Sequence, residues 1–332
     1  MTNASAELKR FLPDPYSLAL LSTVGLASVL PIQGHSAEIF SALTTLAVAL
    51  LFFLNGAKLS RQAVIAGVTH WRLHATVTAF TYVLFPLLGV LIAWGLPDLL
   101  DESMALGFLY LCCLPSTVQS SVAFTSIAKG NVPAAICSAT LSNLVGIALT
   151  PALVGFLLSA HGGVAGMDAV LAIVKQLLLP FALGQIVRPW VAHWMHRHAK
   201  LVTYVDRGSI LMVVYGAFSE AVSGGLWSST PPSSLAMMFV VAAILLAIVL
   251  AATTFISLRL GFSLPDRIAI IFCGSKKSMA SGVPMASILF PAASVGSIVL
   301  PVMIFHQIQL MACAWIARRF AAQHNSDPDH ST

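Results

Sequence analysis

The sequence predicts an all-α integral membrane protein: ten transmembrane helices arranged as two inverted five-helix repeats. Three observations carry that reading. Of 332 residues, 58% are hydrophobic and 9% are charged, and mean hydropathy is +0.90. Ten apolar runs, each about a bilayer thick, divide the chain. Basic residues fall in every other connection between those runs. An ordinary soluble domain carries about 25% charged residues, so this chain has too few to coat a water-facing surface. A soluble enzyme is excluded on that ground. Disorder is excluded because apolar surface is abundant. The formal net charge of +5 forms no basic stripe on a polar domain, so nucleic acid is not a partner.

Charges, Gly/Pro clusters and polar turns place the runs at 15–32, 39–57, 72–96, 103–129, 131–159, 168–191, 207–227, 234–258, 266–290 and 295–317. Continuous apolar runs do not match barrel strands, which alternate apolar and polar residues. Lys9 and Arg10 precede the first run as they would a signal peptide. The run is long for that role, and Pro13-Asp14 interrupts its start. Removing it leaves nine spans and breaks the charge alternation, so it is read as a span. The five cysteines lie inside apolar runs with no C-x-x-C pair, which suggests packing rather than a metal site or a disulfide frame.

Orientation follows Lys and Arg in short connections. One side holds Lys9, Arg10, Lys58, Arg61, Arg72, Lys129, Arg188, Arg197, Lys200, Arg207, Arg259, Arg267, Arg318 and Arg319. The other side holds none. The remaining basic residues, Lys175, Lys276 and Lys277, fall inside spans. This alternation puts both termini in the cytoplasm. Five spans per half make the halves point in opposite directions, a common plan for secondary transporters. The halves are 1–163 and 164–322, followed by a disordered tail over 323–332. An offset of 160 places Gly56-Ala57 on Gly216-Ala217, Cys113 on Cys273 and Ser121 on Ser281.

The fourth span of each half is rich in hydroxyls and interrupted by Pro or Gly. Leu111-Cys-Cys-Leu-Pro-Ser-Thr-Val-Gln-Ser-Ser-Val122 is the first, Phe272-Cys-Gly-Ser-Lys-Lys-Ser-Met-Ala-Ser-Gly-Val-Pro284 the second. Pro115 removes a backbone donor, and Gly274, Gly282 and Pro284 bracket the second stretch. Unwound backbone at membrane depth is tolerated inside protein or beside water, and such breaks aim half-helix ends at a solute. The candidate binding residues are therefore Ser116, Thr117, Gln119, Ser120 and Ser121 from one half and Ser275, Lys276, Lys277, Ser278 and Ser281 from the other.

A lysine at the bilayer centre costs about 2.5–3.5 kcal/mol on insertion scales. At least one of the two ammonium groups is expected to face a hydrated cavity. Two roles fit: attracting an anionic substrate, or occupying a cation site and releasing a proton during transport. Glu220, the one acid well inside a span, is either a charge partner for a lysine or a residue of the outer mouth. Ser138, Ser142 and Asn143 lie near one face of the fifth span and, with Thr150, either face the first break or make helix–helix contacts. His306, Gln307 and Gln309 form a similar cluster in the tenth. Lys175 and Gln176 interrupt the sixth run without an assigned role.

These residues resemble the bile acid:sodium symporter family, most closely the divergent branch that includes solute carrier family ten, member seven. The carrying pieces are Leu51-Phe-Phe-Leu-Asn-Gly-Ala-Lys58, Cys113-Leu-Pro-Ser116, Gln119-Ser-Ser-Val122, Lys129-Gly-Asn-Val132, Leu149-Thr-Pro151, Cys273-Gly-Ser-Lys-Lys-Ser278 and Ser281-Gly282. The resemblance spans essentially the whole chain. It implies panel helices over 15–57 and 168–227, core helices over 72–159 and 234–317, and two broken helices crossing in the core. Sodium-coupled members hold two sodium ions beside the crossing and carry organic anions such as bile acids. Their pattern has Ser-Asn on the first broken helix and Glu, then Gln four residues on, in the second. Here Ser120-Ser121 stands for Ser-Asn, and Ser275 and Met279 for Glu and Gln. An ungapped match puts Ala135 and Ala139 at the hydroxyl positions of the following helix.

The expected function is a secondary transporter of a small organic anion working by alternating access, with a sodium ion as the one cofactor the resemblance offers. The alternatives are a proton-linked carrier that uses an intramembrane lysine and a non-transporting regulator of ion homeostasis. Serines beside lysines also allow an intramembrane hydrolase, but that pattern is nonspecific, and an enzyme is not expected. The expected setting is the lipid bilayer of a plasma membrane, the inner membrane in a bacterium, crossed many times.

Overall fold

The computed structural model describes residues 15–58, 70–95, 100–159 and 174–326. Among the described residues every regular element is a helix. Helix α1 spans Pro15–Val29 and α2 spans His35–Lys58. Helix α3, Trp71–Gly95, contains a π turn at Phe80–Leu84. The next two, α4 (Glu102–Cys113) and α5 (Val118–Ile127), are halves of one span bent by 62°. Helix α6 is Val132–Ser159. Helix α7, Leu179–Arg197, is entered through a π turn at Val174–Leu178. Helices α8 (Ala199–Ser223) and α9 (Pro232–Arg259) follow. A second interrupted pair, α10 (Leu264–Gly274) and α11 (Met279–Leu289), precedes α12 (Ala292–Ser326).

Helix thus occupies every predicted run. By length and composition, α2, α3, α6, α8, α9 and α12 each suffice to cross a bilayer, and the bent α4–α5 pair makes seven. The other predicted spans fall short for identifiable reasons. Helix α1 has 15 residues, the 19-residue α7 carries Gln185, Arg188, His193 and Arg197, and the α10–α11 pair carries Asp266, Arg267, Lys276 and Lys277. Three expected boundaries move. The sixth helix runs on to Arg197, and the seventh begins at Ala199 rather than 207. Lys200, Asp206 and Arg207 are built into the first turns of α8, where Asp206 Oδ2 accepts from Lys58 Nζ at 2.8 Å. Helix α12 continues through Ser326, so the predicted tail is helical over 323–326. Residues 327–332, 160–163 and the N-terminal stretch before Pro15 lie outside the described residues. Lys175 sits exposed in the entry turn of α7 rather than deep in a span.

Two groups of helices form. In the first, α2 packs against α7 and α8, and α8 packs against α1. A Cβ on Gly56 would strike the Phe181 carbonyl, and one on Gly184 the Phe53 carbonyl. Two small residues thus bring the α2 and α7 backbones together, the usual device for helix association in lipid. In the second group, α4 packs on α3 and α12, and α10 packs on α9, α5, α6 and α3. The groups meet mainly where α8 contacts α11 and α12. Side chains such as Leu46, Leu91, Phe156, Ile186, Trp190 and Phe239 remain exposed around the bundle, as lipid-facing residues would.

Contacts at the two ends fix the loops. At one end Lys58 meets Asp206, Arg72 donates to the Leu260 carbonyl at 3.2 Å, and Asn131 donates to Asp266 at 2.7 Å. At the other, Trp227 Nε1 donates to Ser28 at 2.9 Å and Tyr215 to the Leu30 carbonyl at 2.6 Å. Overpacking a close contact costs about 1–3 kcal/mol. Gly184→Val is therefore expected to lower the melting temperature of detergent-purified protein. Gly208→Val, at a glycine with open space around it, is expected to leave it nearly unchanged.

Candidate functional site

Pro115 has no N–H, so the α4 ladder cannot continue, and the Leu114 N–H folds back to the Leu111 carbonyl at 3.2 Å. Five successive carbonyls then need partners, because buried backbone acceptors are rarely left unpaired. Each finds one. Lys277 Nζ takes Cys112 and Leu114, both at 2.7 Å. Thr150 takes Cys113 at 2.8 Å, and the Ser278 N–H takes Pro115 at 2.8 Å. Asn143 Nδ2 takes Ser116 at 2.6 Å, while the Ser116 N–H donates to Ser142 at 3.0 Å.

The second break is closed by the first. Ser121 donates to the Phe272 carbonyl at 2.9 Å and Ser116 to the Cys273 carbonyl at 2.6 Å. Thr117 donates to the Lys277 carbonyl at 2.9 Å. Gln309, wholly buried on α12, grips the Lys277 backbone at both ends, accepting from its N–H and donating to its carbonyl, each at 2.9 Å. Ser278 caps α11 by accepting from the Ser281 N–H at 3.2 Å, and Ser281 donates to Asn143 Oδ1 at 2.8 Å. The breaks lie side by side, joined through α6 and α12.

Both lysines are buried: Lys276 is 0% and Lys277 1% exposed. The third bond of Lys277 Nζ goes to the Thr81 carbonyl at 2.9 Å. That carbonyl is free for a local reason. In the π turn the Phe85 N–H bonds Phe80 instead of Thr81, and residue 86 is a proline with no N–H to offer. Lys276 Nζ has no hydrogen-bond partner and lies 3.8 Å from the Phe124 ring centroid, a cation–π contact. The expectation that a lysine faces a hydrated cavity is corrected: both point into protein. Glu220 is exposed at the far end of α8 and is not brought to either lysine.

Two cavities lie along the same helices. One, of about 310 Å³, is lined by Thr117, Gln119, Asn143, Ser278 and Ser281 on one wall. Asn55, Lys58, Phe181, Asp206 and Arg207 line the other wall. The second, of about 890 Å³, lies toward the opposite ends of α2 and α8, beside Glu38, Gln176, Glu220 and Ser287. The two cavities are separated by nearly a helical turn on α2 and α8 and by about half a turn on α11. Leu51 lines the first and Val48 the second on α2, Ile210 and Val213 on α8, Met285 and Ser287 on α11. A third space of about 860 Å³ between α5 and α12 takes Ser120, His306 and Gln307 along with Gln119 and Arg207.

A family model of the SBF-like CPA transporter family matches residues 14–322. The chain belongs to that family. Among its relatives, "Putative symporter YfeH" of Escherichia coli is 54% identical over 310 residues, 93% of each chain. An uncharacterized protein of Pseudomonas aeruginosa is 53% identical over 95% of each chain. The rat sodium/bile acid cotransporter 7 is 27% identical over 92% of this chain and 91% of its own. The protein is thus a multi-pass membrane transporter by family, in accord with its bilayer-length apolar helices.

Within this transporter family member, the residues singled out from sequence divide into three sets. Thr117, Gln119, Asn143, Ser278 and Ser281 line the smaller cavity, with Gln119 also in the third space beside Ser120, His306 and Gln307. Ser116, Ser121, Ser142, Lys276 and Lys277 are buried at the crossing, where all but Lys276 bond to backbone. Ser138 and Ser275 do neither: Ser138 pairs with His74 at 2.7 Å, and Ser275 donates to its own helix at Ile271. Gln309 was named only within the cluster of the tenth span, and Thr81 and Arg207 were not chosen; the Thr81 carbonyl is freed by the π turn, which the sequence does not announce. An unpaired buried donor or acceptor costs about 1–3 kcal/mol. Gln309→Leu leaves the Lys277 N–H without its acceptor and the Lys277 carbonyl with Thr117 alone. It is expected to lower thermal stability more than Gln307→Leu, measured as melting temperature in detergent.

Proposed function

We propose that the protein is a secondary transporter that carries a small organic anion by alternating access. The observation that carries the reading is the pair of cavities at opposite ends of α2, α8 and α11, kept apart by a turn or less of side chains. Val48, Leu51, Ile210, Val213 and Met285, each 3% exposed or less, form that barrier. The reading takes the chain as ten spans in two inverted halves that rock, and the repeat of helix starts supports it. The helix starts at 35, 71, 102, 118 and 132 recur at 199, 232, 264, 279 and 292, offsets of 160 to 164. In this reading α1, α2, α7 and α8 are the panel, and the remaining helices are the core that holds the crossing. Rocking one group against the other opens each cavity in turn.

The smaller cavity is the substrate site. Its volume lies at the lower end of the range for small-molecule pockets. Hydroxyl and amide groups from both breaks orient the solute, and Arg207, stacked 5.0 Å from the Tyr16 ring centroid, supplies positive charge. Lys58 is balanced by Asp206. The basic ends of the helices face the cytoplasm, with both termini on that side of a plasma membrane. That places the smaller cavity toward the cytoplasm and the larger toward the outside.

Uptake into proteoliposomes tests the proposal, using a panel of carboxylates, sulfonates and sterol acids under imposed sodium, proton or membrane-potential gradients. At least one anion is expected to accumulate or exchange. Arg207→Ala is expected to raise its half-saturating concentration about tenfold, equivalent to about 1.4 kcal/mol. Absence of flux and of counterflow for every anion, from folded protein, overturns the carrier reading.

A further inference from the structure

We infer that the ammonium of Lys277 is the resident cation of the crossing, and that the crossing takes no sodium ion. A protonated lysine has three donors and no acceptor. Here the three donors meet three backbone carbonyls, Thr81, Cys112 and Leu114, at 2.7–2.9 Å. Cys112 and Leu114 lie at the end of α4, where the half-helix dipole is negative. Thr81 comes from a different helix, and its carbonyl is exposed by the π turn and Pro86. Carbonyls freed in this way from unwound helices are what coordinates a coupling cation in broken-helix transporters. In this chain a covalently tethered cation already sits among them.

The remaining groups do not fit sodium. The other carbonyls of the first break, at Cys113, Pro115 and Ser116, are taken by Thr150, the Ser278 N–H and Asn143. Among the described residues no carboxylate bonds to either break: Asp206 is held by Lys58, and Asp266 by Asn131 and Ser263. The positive charge of Lys277 repels a second cation, and the low-dielectric surroundings screen it poorly. Lys276 provides the contrast. Its Nζ rests on Phe124 with no carbonyl cage, so removing it leaves no cation site behind.

This inference goes beyond the carrier reading, and its readout is folding stability rather than flux, so the two fail separately. Purified wild-type protein is melted in sodium chloride and in choline chloride at equal ionic strength. The two melting temperatures are expected to agree within about 1 °C, because a ligand that binds the folded state would raise one of them. Lys277→Ala is expected to melt well below wild type in choline. It should regain at least half of that loss in sodium chloride or methylammonium chloride, either of which offers a cation small enough for the vacated cage. Lys276→Met is expected to show no such salt-specific regain. Stabilisation of wild type by sodium overturns the inference. So does a Lys277→Ala protein that melts alike in all three salts, or a Lys276→Met protein that regains as much as Lys277→Ala. If Lys277→Ala yields no folded protein in any salt, the wild-type comparison decides alone.

Discussion

The structure depends on one constraint: backbone groups released by two interrupted helices must be satisfied without water. The breaks do this for one another. Hydroxyls of the first reach carbonyls of the second, and a lysine of the second reaches carbonyls of the first. An isolated break would leave several polar groups in an apolar interior, each costly. Two breaks placed together, with Asn143 and Gln309 as braces, leave few. The crossing is therefore a mutual cap, in which Ser116, Ser121 and Ser142 bond to backbone.

That distinction explains what sequence could and could not reveal. The breaks were legible because Pro115 and Gly274 stand at them, whereas Gly282 and Pro284, expected to bracket the second, lie inside α11. Helix positions were legible from apolar runs, and the ends from charge, except where charge sits inside a helix, as at Lys200, Asp206 and Arg207. Partner choice was not legible. Nothing local tells Ser138 to find His74 or Ser121 to find the Phe272 carbonyl, since those pairings depend on how helices rotate against each other. The same holds on α12, where Gln309 rather than Gln307 faces Lys277. At least one of the two adjacent lysines read as solvated because lysine side chains seldom end in protein. Here one finds carbonyls and the other an aromatic ring.

The separation of roles bears on how such a protein moves. Groups that bond the breaks together are buried at the crossing, while Thr117, Gln119, Asn143, Ser278 and Ser281 line the cavity along the seam toward α2 and α8. The seam is apolar at its waist and polar at its ends. In the proposed carrier, a solute in the smaller cavity meets side-chain amides and hydroxyls without unpicking the backbone bonds beneath them. The close contact of Gly56 and Gly184 ties α2 to α7.

The π turn of α3 adds one residue to a helix that otherwise runs at normal pitch, and Pro86 keeps it from annealing. Everything beyond it is rotated by roughly a quarter turn relative to an unbulged helix. A related chain lacking the extra residue would present a different face of α3 to the crossing and would retract the Thr81 oxygen. The insertion and the lysine are thus two halves of one device. A comparison of relatives should find a one-residue gap at 80–84 wherever position 277 has lost its amine.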